Sequence, residues 1–310
     1  MLNILVTGSN GQVGSEIKEL SSNYPYKFYF TDKKELDISN LQNVRKYIIE
    51  NNIDTIINCA AYTAVDKAED EKELANKINH IAVKNLAMLS NEFGIKLVHI
   101  STDYVFDGTN FKPYTEDDAT NPQSVYGQSK LDGEKAILEY NLKNSIIIRT
   151  SWVYSYYGVN FVKTMLRLGK EKEQLGVIFD QVGTPTYARD LARAILEILA
   201  QITSFSMSSL GMQIDGHATS PSMHSQDGVE IYNYSNEGVL SWYDFAKEIM
   251  KMAKLTCYVN PIETKEYLTP ATRPHYSLLN KSKIKQRFNL AIPYWKDSLD
   301  ECLRKLGERK

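Results

Sequence analysis

The sequence predicts an α/β fold, a doubly wound parallel sheet with a smaller C-terminal lobe, and three observations predict it. Short runs that are apolar on both faces recur through the first half: LNILV, KFYF, TIINC, KLVHI and SIIIR. Strands of that kind are buried between two layers of helices, as a parallel sheet requires. The stretches between the runs read as helices. A glycine-rich loop, TGSNGQVG, stands directly between the first run and the helix-like SEIKEL.

Beyond about residue 150 the alternation weakens. TYARDLARAILEILAQI keeps helical periodicity, and DGVEIYNYSN is expected to supply a further strand. From SWYDFAKEIMKMAKL to the end the pattern is helical and loop-like, punctuated by Pro261, Pro270, Pro274 and Pro293. The expected division is therefore residues 1–150 and residues 151–310. The second part forms mainly the smaller lobe and contributes some elements to the sheet. Residues 204–228 are rich in Ser, Gly and Met with little periodicity and read as an exposed, mobile loop. His217 and His224 fall in it without partners at metal-ligand spacing.

A chain of 310 residues can bury a substantial core, and 43% hydrophobic with 24% charged residues is ordinary for a globular protein. A net charge of -2 without a long basic run gives no electrostatic attraction to nucleic acid or an anionic membrane, so neither is an expected partner. MLNILVTGSNG lacks a basic n-region and a small-residue cleavage site, so it is not expected to be a secretory signal. No apolar stretch approaches the roughly 20 residues of a spanning helix. Cys59, Cys257 and Cys302 are few, odd in number and far apart, which argues against a disulfide framework or zinc cluster. A cytoplasmic location is expected.

Gly8, Gly11 and Gly14 are spaced three apart. Glycines let the backbone turn sharply and approach a pyrophosphate, while the following helix offers its N-terminal amides and positive dipole end. Context raises this above a lone glycine repeat, whose plain alternative is a strand-to-helix turn. An acidic residue, Asp32, follows about 20 residues later at the end of the second run. Lys33 and Lys34 come next.

YGQSK, Tyr126 to Lys130, carries the candidate chemistry, although YFTDK and YDFAK share its spacing. Tyr29 and Lys33 straddle a strand end, on the order of 13 Å apart. Tyr243 and Lys247 suit a helix, but no cofactor loop or polar strand end points at them. Tyr126 and Lys130 suit a helix, one turn apart on one face. That helix follows KLVHISTDYVFDG, where apolar residues give way to Ser101, Thr102, Asp103 and Tyr104 at the expected crevice mouth. Reducing a ketone by hydride transfer needs a proton for the oxygen. A phenol of pKa near 10 is assisted when a lysine ammonium favours phenolate. Thr102 could hold the substrate oxygen in line. The plain alternative is a surface helix pair with a capping threonine.

The GxxGxxG spacing, with Asp32 and the Tyr126–Lys130 pair in this order, resembles the extended short-chain dehydrogenase/reductase family. The resemblance implies a Rossmann-like, doubly wound sheet with a substrate-binding lobe. It also implies an NADPH or NADH site built from Gly8, Asn10, Gly11, Gln12, Val13, Gly14, Asp32, Asp37, Ile38, Ala60, Ala61, Tyr62, Tyr126 and Lys130. In such a site Asp32 could accept from the ribose hydroxyls, whereas Lys33 and Lys34 could neutralise a 2′-phosphate, so NADPH and NADH both remain open. Asp37 has the alternative of a solvated carboxylate or a helix cap before SNLQNV. Asn79 is a candidate for the family's helical asparagine.

STDYVFDG, NPQSVYGQSKLDGE, IIIRTSWVYS, DQVGTPTYARDLA, IYNYSNEG, SWYDFA and ATRPHYSLLNKSKI together resemble the dTDP-4-dehydrorhamnose reductase branch. That branch implies Thr102, Tyr126 and Lys130 as the catalytic set. Asp103, Tyr104 and Trp152 would line the sugar pocket, and Arg273 would sit near the nucleotide end of a dTDP-linked 4-keto-6-deoxy sugar. Core packing is the alternative for Trp152, and a surface ion pair for Arg273. No acidic cluster marks a metal site, so none is expected, and a monomer or homodimer is the implied assembly. Rival readings are a reductase or epimerase of another nucleotide-linked keto sugar and a non-catalytic cofactor-binding regulatory subunit. A dehydratase would need a carboxylate pair beside the threonine, of which only Asp103 is present.

Overall fold

Strand β1 (Asn3–Thr7) is an interior strand of a six-stranded sheet, one place from its edge, because Ile4, Leu5 and Val6 leave no face for water. On one side lies β2 (Lys27–Thr31), and on the other β3 (Thr55–Asn58), β4 (Lys96–Thr102) and β5 (Ser145–Thr150) follow. The further strand expected in the second half, Val229–Tyr234, pairs in parallel with β5 at the far edge. All five pairings are parallel. This structure, a computed structural model, describes residues 1–208 and 228–309, the side chains of 203–208 excepted.

Alternation along each strand sorts the core into two layers. Ile4, Val6, Val98, Ile146 and Ile148 point to one side, where they meet the helices Gln12–Leu20 and Ala188–Ser208. Leu5, Ile56, Leu97 and Ile147 point to the other, against Leu41–Asn51, Ala82–Phe93 and Val125–Glu139. The chain leaves β1 towards β2 and then crosses back to β3. This reversal opens a crevice beyond the carboxyl ends of β1 and β3, where open α/β sheets bind ligands.

A separate core forms in the second half. The helices Phe161–Glu171, Trp242–Met252 and Trp295–Lys305 enclose Val162, Leu166, Phe245, Ile249, Leu299 and Leu303. Here the structure departs from the helical and loop-like expectation, since Tyr258–Ile262 is a strand paired in parallel with Gln174–Ile178. Pro261 is compatible with it because a two-stranded sheet leaves each strand one free edge that needs no amide donor. The helix Ala188–Ser208 also runs into the first residues expected as loop. The remainder of that stretch, residues 209–227 with His217 and His224, lies outside the described residues.

Candidate active site

The glycine loop turns sharply at Gly8, whose φ of 63° is left-handed and whose position leaves no room for a side chain. A Cβ there would stand 2.6 Å from the Ala60 backbone nitrogen, so β1 and β3 meet at their ends only through glycine. Gly11 is the N-cap of the Gln12–Leu20 helix and supplies no side-chain oxygen to its first amides. Those donors therefore face the crevice and suit a phosphate. Asn10 does not enter the crevice with its amide, which donates to Asp32. The Asp32 carboxylate also accepts from the Lys34 amide at 2.7 Å, so it is pinned at the end of β2.

Gly8, Gly11, Asp32, Lys33, Asp37, Ile38, Ser39, Cys59, Ala60, Ala61 and Lys77 wall one continuous groove. Burial raises the proton affinity of Asp37, but two hydrogen bonds from Ser39 and the charges of Lys33 and Lys77 outweigh it and hold the carboxyl below its usual value. Asn40, rather than Asp37, caps the following helix. Gln12 reaches away from the groove, donating to the Val153 carbonyl and accepting from Asn160. Val13, the second residue of that helix, is buried in the first core layer. Tyr62 exchanges backbone hydrogen bonds with the Asn79 amide and donates its hydroxyl to Glu71. Asn79 is wholly buried in a π-helical turn, Lys77–Ile81, and also donates to Ser129 on the 125–139 helix. Wide turns of this kind concentrate at functional sites. The groove thus offers a glycine cradle, uncapped amides and two lysines, groups that suit phosphates.

Ser124 starts the Val125–Glu139 helix by accepting from the Gly127 amide. The helix lies so close to the loop after β4 that a Cβ on Gly127 would be 2.3 Å from the Tyr104 carbonyl. That contact brings Tyr126 and Lys130 against the end of β4. Burial pushes the Tyr126 phenol up to about 12, and a hydrogen bond with Thr102 pulls against it. Thr102 also donates to Asp103 and accepts from the Tyr104 amide. Burial pushes the Lys130 ammonium down to about 8, with Glu134 and Cys59 acting the other way. The expectation that the lysine charge favours phenolate is not met. Lys130 Nζ turns to the Ile100 carbonyl at 2.7 Å and to His99, while the charge acting on the phenol is that of Asp103.

Ser101 faces inward, away from the crevice expected for it. It donates to Glu134, which Arg149 clasps at 2.7 Å within the core. Asp103 is buried, and that burial pushes its carboxyl up to about 7, with Ser277 and Thr102 pulling it back. Tyr104 packs edge-on against the Tyr126 ring, centroids 5.5 Å apart. Trp152 has a left-handed backbone, φ 49°, which a bulky residue rarely adopts, and stacks on Trp242 at 3.7 Å. Arg273 grips Asp66 with its two terminal guanidinium nitrogens, at 2.9 and 2.7 Å, in the ion pair weighed as its alternative. Its charge also acts on Tyr104 beside it.

The competing pairs stand elsewhere. Tyr243 packs on the second core, and Lys247 lies over the Tyr258 ring. Lys33 walls the groove without Tyr29, which packs in the core against Tyr47. Sequence reasoning missed Ser39, Cys59 and Lys77 in the groove wall, and Asn58 and His99 behind Lys130. The last two carried a signal, being polar residues inside runs otherwise apolar on both faces. Among the described residues no group of three or more His, Cys, Asp or Glu is placed to hold a metal ion, and no helix is long and apolar enough to cross a membrane. The three cysteines are free.

Comparison with known proteins gives consistent results. The family model described as RmlD substrate binding domain matches residues 2–308. The dTDP-4-dehydrorhamnose reductase of Escherichia coli K12 is 40% identical, with 98% of each chain covered. A crystal structure of a dTDP-4-dehydrorhamnose reductase from Clostridium acetobutylicum superimposes with a TM-score of 0.87 at 40% identity, covering 99% of this chain and all of that one. The Bacillus anthracis dTDP-4-dehydrorhamnose reductase, solved in complex with NADP, gives 0.84 at 38% identity, covering 98% of this chain and all of that one.

Proposed function

The chain belongs to the RmlD substrate binding domain family, and from that premise we propose that it reduces the C4 keto group of dTDP-4-dehydrorhamnose to give dTDP-L-rhamnose. NADPH or NADH is the reductant. The observation that carries the reading is the convergence of Thr102, Tyr126 and Lys130 at the end of β4, beside a groove cradled by Gly8 and Ala60. Residues up to about 150 hold the cofactor, and residues 151–310 mainly shape the sugar pocket.

The bound nicotinamide supplies hydride, and the residues of this chain supply the rest. Gly8, Gly11, Val13 and Gly14 bring backbone to the pyrophosphate, and Asp32, Asp37, Ile38, Ala60, Ala61 and Tyr62 line the adenosine and ribose side, with Asn10 and Gln12 bracing the loop. Tyr126 donates the proton to the keto oxygen. A phenol whose proton affinity is raised by burial is fully protonated at neutral pH, the form that reduction needs. Thr102 bonds to that phenol and holds the keto oxygen in line with it. Lys130 orients the nicotinamide ribose. Asp103, Tyr104 and Trp152 surround the sugar, and Arg273 meets the nucleotide end when it exchanges Asp66 for phosphate. Lys33 and Lys77 support NADPH, because their charges suit a 2′-phosphate.

The proposal includes a cytoplasmic location, where reduced nicotinamide is maintained, and a monomer or homodimer without nucleic-acid or membrane partners. The test offers enzymatically generated dTDP-4-dehydrorhamnose with NADPH and NADH separately and follows loss of reduced-nicotinamide absorbance beside a Tyr126→Phe control. Oxidation that requires the keto sugar and collapses in the control supports the reductase. Cofactor binding without oxidation turns the assignment to another keto sugar or to a regulatory subunit.

A further inference from the structure

Register places Thr7 opposite Asn58 across β1 and β3, and Asn58 opposite His99 across β3 and β4. The three side chains form one polar row in the layer covered by the 125–139 helix, between an apolar core and Lys130. The contacts are continuous: Thr7 Oγ1 donates to Asn58 Oδ1 at 2.6 Å, Asn58 Nδ2 meets His99 Nδ1 at 2.9 Å, and His99 Nε2 lies 3.3 Å from Lys130 Nζ. Asn58, His99 and Lys130 are each no more than 1% exposed.

The orientation of this row is fixed by chemistry. The Ala60 backbone N–H, which can only donate, bonds Asn58 Oδ1 at 3.2 Å. The Asn58 oxygen must therefore face Ala60, and its NH2 must face the imidazole. His99 Nδ1 then accepts, and the single ring proton of the neutral imidazole resides on Nε2, pointing at Lys130. Burial first, and the Lys130 charge second, keep His99 neutral by holding its proton affinity well below the usual value. The lysine thus meets the acceptor carbonyl of Ile100 on one side and a donor on the other.

We propose that His99 is a positioning residue for Lys130: the cross-strand row Thr7–Asn58–His99 locks its ring as the Nε2–H tautomer and presents a donor to the amine. An ammonium, which has only donors, opposes this N–H. A neutral amine accepts from it and still donates to Ile100. The row thereby sets the proton affinity of the residue beside the phenol, against Glu134 and Cys59, the other titratable groups acting on Lys130. Burial by itself already lowers the Lys130 ammonium, and the ring N–H acts in the same direction. The inference rests on the reductase reading only for its catalytic meaning.

Two measurements test it without the sugar. In the full chain labelled with 15N-histidine, His99 Nδ1 should resonate as the unprotonated, pyridine-like nitrogen and Nε2 as the protonated one from pH 6 to 9. The reverse pattern overturns the proposal. NADPH affinity is then followed against pH in the wild type, His99→Gln and Asn58→Asp. Glutamine can turn a carbonyl oxygen to the ammonium, and aspartate should draw the ring proton to Nδ1 and leave Nε2 as an acceptor. In each variant the alkaline loss of affinity should move up by about one pH unit or more. Variants that bind NADPH normally at pH 7 yet keep the wild-type midpoint overturn the proposal, because a merely structural histidine would not move it. If either variant fails to fold, the tautomer measurement on the wild type decides. A correct tautomer and shifted midpoint with no oxidation of NADPH by the keto sugar would reject the reductase reading alone.

Discussion

Tyr126 and Lys130 sit one turn apart, yet burial acts on them in opposite directions, raising the phenol to about 12 and lowering the ammonium to about 8. Removing the proposed proton donor in Tyr126→Phe should lower kcat by about 10²-fold or more while NADPH affinity stays near the wild-type value, as steady-state kinetics and a cofactor titration will show. The sign of the pH dependence follows from the lysine. Its charged form, which in the proposed function attracts the anionic cofactor, is present below about 8 and lost above it. Accordingly kcat/KM for NADPH should fall as pH rises through 8, and a profile flat to pH 9.5 would contradict the assignment. Trp152, strained at φ 49° and stacked on Trp242, is held by that partner. Trp242→Leu is expected to raise KM for the sugar by about tenfold with a smaller change in kcat, since the lost support loosens binding rather than proton transfer.

Elements differ in how plainly they stand in the sequence. The 125–139 helix is legible from YGQSKLDGEKAILEY, and β1 to β5 from their two-faced apolar runs. The strand Tyr258–Ile262 is not, because Pro261 interrupts its pattern and only pairing with Gln174–Ile178 makes it a strand. The inward turn of Ser101 was equally hidden, since the last residues of β4 read alike as a polar strand end and differ only in the face they take. Close approach of elements decides the geometry of the proposed site. Gly127→Ala forces a methyl into the Tyr104 carbonyl, so the helix must move and carry Tyr126 with it. The expected outcome is a fall in kcat of about 10- to 100-fold with the far-UV circular dichroism unchanged, the cost of about an ångström of misplacement.

Across the whole molecule, the glycine-loop helix is tied to the C-terminal helix by charge. Arg189 joins Glu16, Glu19 and Glu301 at 3.1, 2.7 and 3.1 Å, and Lys305 reaches Glu16 and Glu19. Burial pushes the Glu19 carboxyl up, but hydrogen bonds with Lys305, Tyr157 and Arg189 outweigh it and lower it from 4.5 to about 2. A carboxyl depressed in the folded state contributes stability that is present above 4.5 and is lost as pH falls through 2. Thermal unfolding of Glu19→Gln should therefore begin below that of the wild type at pH 7 and converge with it near pH 2. A constant difference would place the loss outside this titration.

The sequence by itself determined the layered sheet, the glycine cradle after β1 and the helix that sets Tyr126 and Lys130, unlike the two pairs of equal spacing, against the polar end of β4. Those features are written in local order: an apolar run, a turn that only glycine can make, a polar strand end, then a helix. Tertiary structure alone decided that Asn10 serves Asp32, that Arg273 holds Asp66, and that Thr7, Asn58 and His99 form one row behind the lysine. Each of these depends on strand register or on segments 22 to 207 residues apart. The direction of a buried proton equilibrium depends in turn on which donors and acceptors that register brings together, which no local pattern encodes.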